Sequence, residues 1–98
     1  MLNSKQRSFL RSLASKEESV TQIGKSGIND AFLDGATAVL DKRELIKITV
    51  LQNSGLEPKE AGIELADALN AELVCVTGRK IVLYKRSERD DVRHIELI

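Results

Sequence analysis

Two apolar runs separated by only two residues constrain this chain more than any other feature. Leu73-Val74-Cys75-Val76-Thr77 and Lys80-Ile81-Val82-Leu83-Tyr84-Lys85 are joined by Gly78-Arg79. A link that short demands an antiparallel pair. Leu45-Ile46-Lys47-Ile48-Thr49-Val50-Leu51 is the clearest other strand, β-branched at 46, 48, 49 and 50, and Val20-Thr21-Gln22-Ile23 is a short one. Each of these earlier runs leads into a helical pattern, and helical crossovers favour parallel pairing among at least some strands. The order is α-β-α-β-α-β-β: one α/β domain over residues 1–98 with a mixed four-stranded sheet. The 73–77 run, apolar almost throughout, is expected at the centre of that sheet.

The helices have legible ends. Over 4–14, Ser4 is the expected N-cap, and Phe9, Leu10 and Leu13 form an apolar stripe with Gln6 near its edge. From Asn29 to about Arg43, Asn29 can cap, Asp30 suits the first turn, and Phe32, Leu33, Ala36, Val39 and Leu40 make one apolar face. Gly35 inside this helix costs about 1 kcal/mol relative to alanine, which predicts close approach of another element. Lys42-Arg43 complements the C-terminal end of the dipole. Pro58 opens a third helix in which Ala61, Ile63, Leu65, Ala66 and Leu69 are apolar and Glu57, Glu60, Glu64 and Asp67 acidic, with Asn70 as the stop. Lys47 faces away from Ile46 and Ile48, which predicts a wet position there. The charged tail 87–98 ends in Ile95-Glu96-Leu97-Ile98 and is left open between a strand, packing on a helix and a loose end.

The first strand-to-helix junction reads Ile23-Gly24-Lys25-Ser26-Gly27-Ile28. Two glycines let the chain turn tightly and keep side chains away from an anion lying on the backbone. The first turn of the next helix would offer free N–H groups and the positive end of its dipole, and Lys25 a mobile charge. A lone Gly-x-x-Gly is also what a plain turn looks like. A nucleotide-triphosphate P-loop would need glycine five residues before Gly24, where Ser19 stands, so an NTPase is disfavoured. We read the loop as a holder of nucleic-acid backbone.

Charge distribution supports that reading better than total charge does. Lys and Arg number 15 and Asp and Glu 15, yet residues 1–28 net +3, 29–77 net −5, 78–86 net +4 and 87–98 net −2. Lys5, Arg7 and Arg11 form a basic strip on the first helix. Arg79, Lys80, Lys85 and Arg86 make the last hairpin a second candidate site, although lysines there also suit an exposed edge strand. If the fold joins these segments, a basic face opposes an acidic one and can orient a polyanion.

Other chemistries find little support. The 42% apolar content excludes a mainly disordered chain. No apolar run approaches a membrane span, and the N-terminal residues lack a signal-peptide core, so a cytoplasmic, membrane-free protein is expected. The lone cysteine, Cys75, fits a reducing compartment and a core position rather than a nucleophile. His94 is the one histidine and has no ligand at metal spacing, so neither zinc nor any other cofactor is expected. Three aromatics are too few for a base-stacking sheet. No small-molecule substrate and no catalysis are expected.

Taken together, these motifs resemble the CRM (chloroplast RNA splicing and ribosome maturation) domain, in its free-standing bacterial, YhbY-like form. The stretches that carry the resemblance are Ser4-Lys5-Gln6-Arg7 with Leu10-Arg11-Ser12-Leu13-Ala14, the glycine loop 23–28, Glu44-Leu45-Ile46-Lys47-Ile48, and Val76 through Arg86. The resemblance implies a fold similar to the C-terminal domain of a bacterial translation initiation factor, and a loop like the backbone clamp of KH domains. It implies an RNA-binding protein acting on precursor ribosomal RNA in large-subunit assembly. Gly24, Lys25, Ser26 and Gly27 match the family loop, Lys5, Arg7 and Arg11 its first helix, and Arg79, Lys80, Lys85 and Arg86 its hairpin. Asn29 replaces a common threonine, and the acidic tail differs from basic tails in some relatives. A non-enzymatic monomer binding ribosomal RNA or pre-large-subunit particles is the expectation. The alternative is a protein-interaction adaptor using the acidic helices.

Overall fold

In the computed structural model, residues 2–97 are described. Three helices and four strands follow the expected order: α1 (Ser4–Ser15), β1 (Thr21–Ile23), α2 (Asp30–Arg43), β2 (Leu45–Val50), α3 (Pro58–Leu69), β3 (Glu72–Thr77) and β4 (Lys80–Tyr84). A single 3-10 turn, Gln52–Ser54, lies in the segment expected to be a loop. The strands are ordered β1-β2-β4-β3. β1 runs parallel to β2, with Ile23 opposite Val50, and β4 is antiparallel to both of its neighbours.

The centre of the sheet is therefore β2 and β4, and β3 is an edge strand, contrary to the expectation from its composition. It is apolar because both of its faces are covered. Leu73 and Val76 pack toward α3 and the core on that side. Val74 and Cys75 both pack toward α1, because a register shift between Leu73 and Cys75 puts two successive residues on the same face. Lys80 and Lys85 are accordingly not edge-strand lysines but the ends of a central strand.

Strand periodicity divides the core in two. Ile46, Ile48, Val50, Ile81 and Leu83 face α2 and α3, meeting Ala36, Leu40, Ala61, Leu65 and Leu69. Val82 and Tyr84 face the other way, meeting Leu10 and Ala14 of α1. The tail shares this second layer through Ile95 and Leu97, so packing, of the three fates left open, is what residues 87–97 show.

Caps account for the helix boundaries. The N-cap of α1 is Asn3 rather than Ser4: Gln6 N donates to Asn3 Oδ1 at 2.8 Å and Asn3 N to Gln6 Oε1 at 3.1 Å, a reciprocal box that places Ser4 inside the helix. Asn29 caps α2 by accepting from Phe32 N at 2.8 Å. Glu57 caps α3, with Pro58 in its first turn, and Asn70 ends it in the left-handed region at φ 54°. Gly35 is exposed, and a Cβ placed on it would meet no atom within 4 Å, so no element approaches it. The close approach belongs to Gly62, where a Cβ would lie 3.1 Å from Leu73 Cδ1.

Candidate nucleic-acid interface

The glycine loop is anchored at both ends and open in the middle. Ile23 is fully buried, and its carbonyl accepts from Leu51 N at 2.9 Å. Ile28 packs against the α2/α3 core, and the Asn29 cap follows at once. Between them Gly27 N donates to Gly24 O at 2.9 Å, closing a four-residue turn. Gly27 has φ +69°, a conformation that favours glycine, whereas a Cβ on Gly24 would only make ordinary contact with Leu51. Lys25 and Ser26 are exposed.

The turn engages the Gly27 amide, whereas the amides of Lys25 and Ser26 are donors open to an anion. Neither makes a hydrogen bond among the described residues. The dipole of α2 is less available than expected, because Asp30 places a carboxylate in the first turn. With Lys25 and Asp30 offsetting each other, attraction for a polyanion must come from elsewhere on the molecule.

The structure separates the other basic residues into two groups. Val50 N donates to Arg79 O, and Thr49 pairs with Lys80, which sets the 78–80 turn at the same end of the sheet as the glycine loop. Gly24 and Lys80 lie two strand spacings and about two residues apart, roughly 12 Å between Cα atoms. Lys80 has the parity of Val82 and Tyr84 and so points to the α1 face, where it shares a hollow with Arg11. Arg7 and Arg11 border a shallow groove between α1 and the β3 edge, lined also by Val74 and Cys75. Lys5 is exposed on the first turn of α1.

Lys85 and Arg86 stand at the far end of β4, roughly 17–20 Å from Lys80. The Lys85 ammonium donates to Leu69 O at 3.2 Å, closing the C-terminus of α3. Arg86 lies beside Tyr84 and the tail in a hollow that includes His94. Burial, with the Glu44 charge adding to it, pushes the Tyr84 hydroxyl pKa up, and Arg86 offsets part of the shift. Arg79 is at the loop end, but its side chain is engaged within the fold. Its Nε donates to Val50 O at 2.6 Å and one terminal nitrogen to Leu51 O and Leu56 O at 3.2 and 3.3 Å. It clasps the 50–56 connection, while Lys80 beside it is exposed.

Two residues of the 44–48 stretch carry weight that periodicity and composition do not announce. Lys47, expected to be wet, is half-buried under α1, where its ammonium donates to Ala14 O and Glu17 O at 3.3 Å each. Glu44 is wholly buried, in the left-handed region at φ 64° after α2. Its Oε2 accepts from Ser87 N at 2.6 Å and His94 Nδ1 at 2.7 Å, and its Oε1 from Ile95 N at 2.6 Å. Burial raises the Glu44 pKa, but the hydrogen bonds from His94, Ile95 and Ser87 outweigh it and hold the carboxyl below its ordinary 4.5. Among the described residues, no group of three or more His, Cys, Asp or Glu side chains could hold a metal ion. Among them too, no helix is long and apolar enough to cross a membrane.

An open Gly-x-x-Gly turn ending the first strand of a β1-β2-β4-β3 sheet, with a basic first helix across the sheet, defines a class. The chain belongs to the CRS1 / YhbY (CRM) domain family, whose pattern matches residues 2–85. It is 39% identical over 97 residues to the Bacillus subtilis (strain 168) protein named "Probable RNA-binding protein YqeI", with 99% of each chain covered. It also superposes on the solution structure of the Staphylococcus aureus protein SAV1595, described as an RNA-binding candidate. There the TM-score is 0.80 at 40% identity, with all of both chains covered.

Proposed function

We propose that this protein binds RNA without catalysing a reaction, and that its target is precursor ribosomal RNA during large-subunit assembly. The observation that carries the reading is the open Gly24–Gly27 turn, with the Lys25 and Ser26 amides unengaged among the described residues, at the end of the sheet where Lys80 and Arg11 meet. The two relatives named for RNA binding support the ligand class. The resemblance to ribosome-maturation proteins supports the ribosomal target.

The turn holds one phosphate by its backbone. Lys5, Arg7, Arg11 and Lys80 supply the attraction that the loop, with Lys25 offset by Asp30, lacks. Arg79 contributes by holding the 50–56 connection behind the turn, and Lys85 and Arg86 sit too far away to touch the same phosphates. Such contacts position an RNA without reading its bases. The protein works as a cytoplasmic monomer, with 87–97 part of the domain.

Binding to purified ribosomal RNA is expected to weaken steeply with salt, the slope of log K against log salt being about −0.7 to −0.9 per phosphate contacted. Lys25→Asp with Ser26→Asp should abolish retention while leaving Tm within a few degrees, because both side chains are exposed and Gly27 is kept. Affinity that survives this double change removes the loop from the interface.

A further inference from the structure

Three cations reach one hollow from three different elements. Lys47 pairs with Val82 and Thr49 with Lys80, so Lys47 and Lys80 are diagonal neighbours on the α1 face, with Cβ atoms roughly 7–8 Å apart. Arg11 joins them from α1, Cys75 and Thr77 line the β3 side, and no carboxylate among the described residues lines the hollow. Among the described residues neither Arg11 nor Lys80 has an acidic partner. Like charges gathered this way repel one another, and a bound anion removes the repulsion.

Lys47 makes the floor suitable for that anion. Two of its three N–H groups donate to Ala14 O and Glu17 O, which masks the carbonyls at the negative end of α1. The third remains for a ligand. The hollow is open to solvent and offers ≈ 270 Å³, ample for a phosphodiester group. It continues past Arg11 into the groove that Arg7 borders. A line of cations running beyond the hollow favours a polyanion over a single phosphate ion.

We propose that Arg11, Lys47, Lys80 and Thr77 form a second phosphodiester subsite for the same RNA that the glycine loop holds. This rests on the RNA-binding reading above and adds a contact on the α1 face of the sheet. The loop binds one phosphate at the end of β1. The hollow binds another, roughly 12 Å away around the 78–80 turn, so the backbone passes over the sheet's end from one site to the other.

Cys75, the single cysteine and half-buried in the hollow, is the reporter. Its alkylation by iodoacetamide is followed in the full chain, alone, with purified ribosomal RNA and with inorganic phosphate. RNA is expected to slow alkylation several-fold at low salt. Arg11→Gln with Lys80→Gln, two exposed positions whose fold is checked by circular dichroism, should remove the protection. The same change should weaken RNA binding about tenfold and lower the salt slope by about 0.7 to 0.9, the share of one phosphate. Loop-dependent RNA binding with no change at Cys75 would overturn the subsite and leave the RNA-binding reading standing. Protection by inorganic phosphate but not by RNA would make the hollow a free-anion site and overturn the backbone assignment. No RNA binding at all would remove both.

Discussion

Glu44 occupies the position after α2 where glycine would be least strained, at φ 64° and wholly buried. Its left-handed backbone costs about 1 kcal/mol or more, which is offset by a carboxylate receiving hydrogen bonds from Ser87, His94 and Ile95. Because an ionised carboxylate only accepts, His94 Nδ1 carries the proton of that contact. Glu44→Ala leaves these donors unpaired and should cost about 3 kcal/mol, or about 15 °C in Tm for a domain of this size. The sign with pH follows from the lowered carboxyl pKa. Its contribution is present above the unfolded value and is lost as pH falls through the folded one. Urea unfolding of wild type and Glu44→Gln should therefore differ most near neutrality and converge well below pH 4.5. None of this is legible in the sequence, because the partners lie more than 40 residues away and a glutamate between two elements reads as exposed. Arg79 and Lys47 escape a sequence reading for the same reason: their acceptors are backbone carbonyls brought near only by folding.

The elements themselves are legible wherever periodicity and caps agree. Asn29, Pro58 and Asn70 mark boundaries through local chemistry that needs no tertiary context, and the Gly78-Arg79 link specifies the β3–β4 pair. What periodicity does not give is which strand lies at the edge. β3 is covered above by α1 and below by α3, so its composition matches a central strand although no further strand lies on its outer side among the described residues. Arg7 and Arg11 beside that side, with the register shift, supply the protection an edge strand needs. The glycines reverse in role for a similar reason. Gly62→Ala gains helix propensity, but its methyl would lie 3.1 Å from Leu73 Cδ1, and that crowding should cancel the gain or exceed it. Gly35→Ala meets nothing in a helix interior and should stabilise by up to about 1 kcal/mol. Thermal unfolding of the two variants reads the difference, and a Gly62→Ala stabilised as much as Gly35→Ala would contradict the packing of α3 on β3.

At the level of the whole molecule, the sheet separates two surfaces of opposite character. α2 and α3 present Asp34, Glu60, Glu64 and Asp67 to solvent on one side. On the other, Arg7, Arg11 and Lys80 follow α1 toward the end that carries the Gly24–Gly27 turn. The segment charges point to this division, since the two basic segments lie far apart along the chain and the acidic one between them. They do not show that the hairpin's four cations split between the two ends of β4, because strand length converts five residues into roughly 17 Å. An RNA is therefore expected across α1 and the loop end only. Mapping the residues that become attached to RNA after ultraviolet crosslinking in cells tests this most directly. Attachments within 5–15, 24–27 and 77–80 are the predicted result, and attachments confined to α3 or to 85–97 would contradict the account.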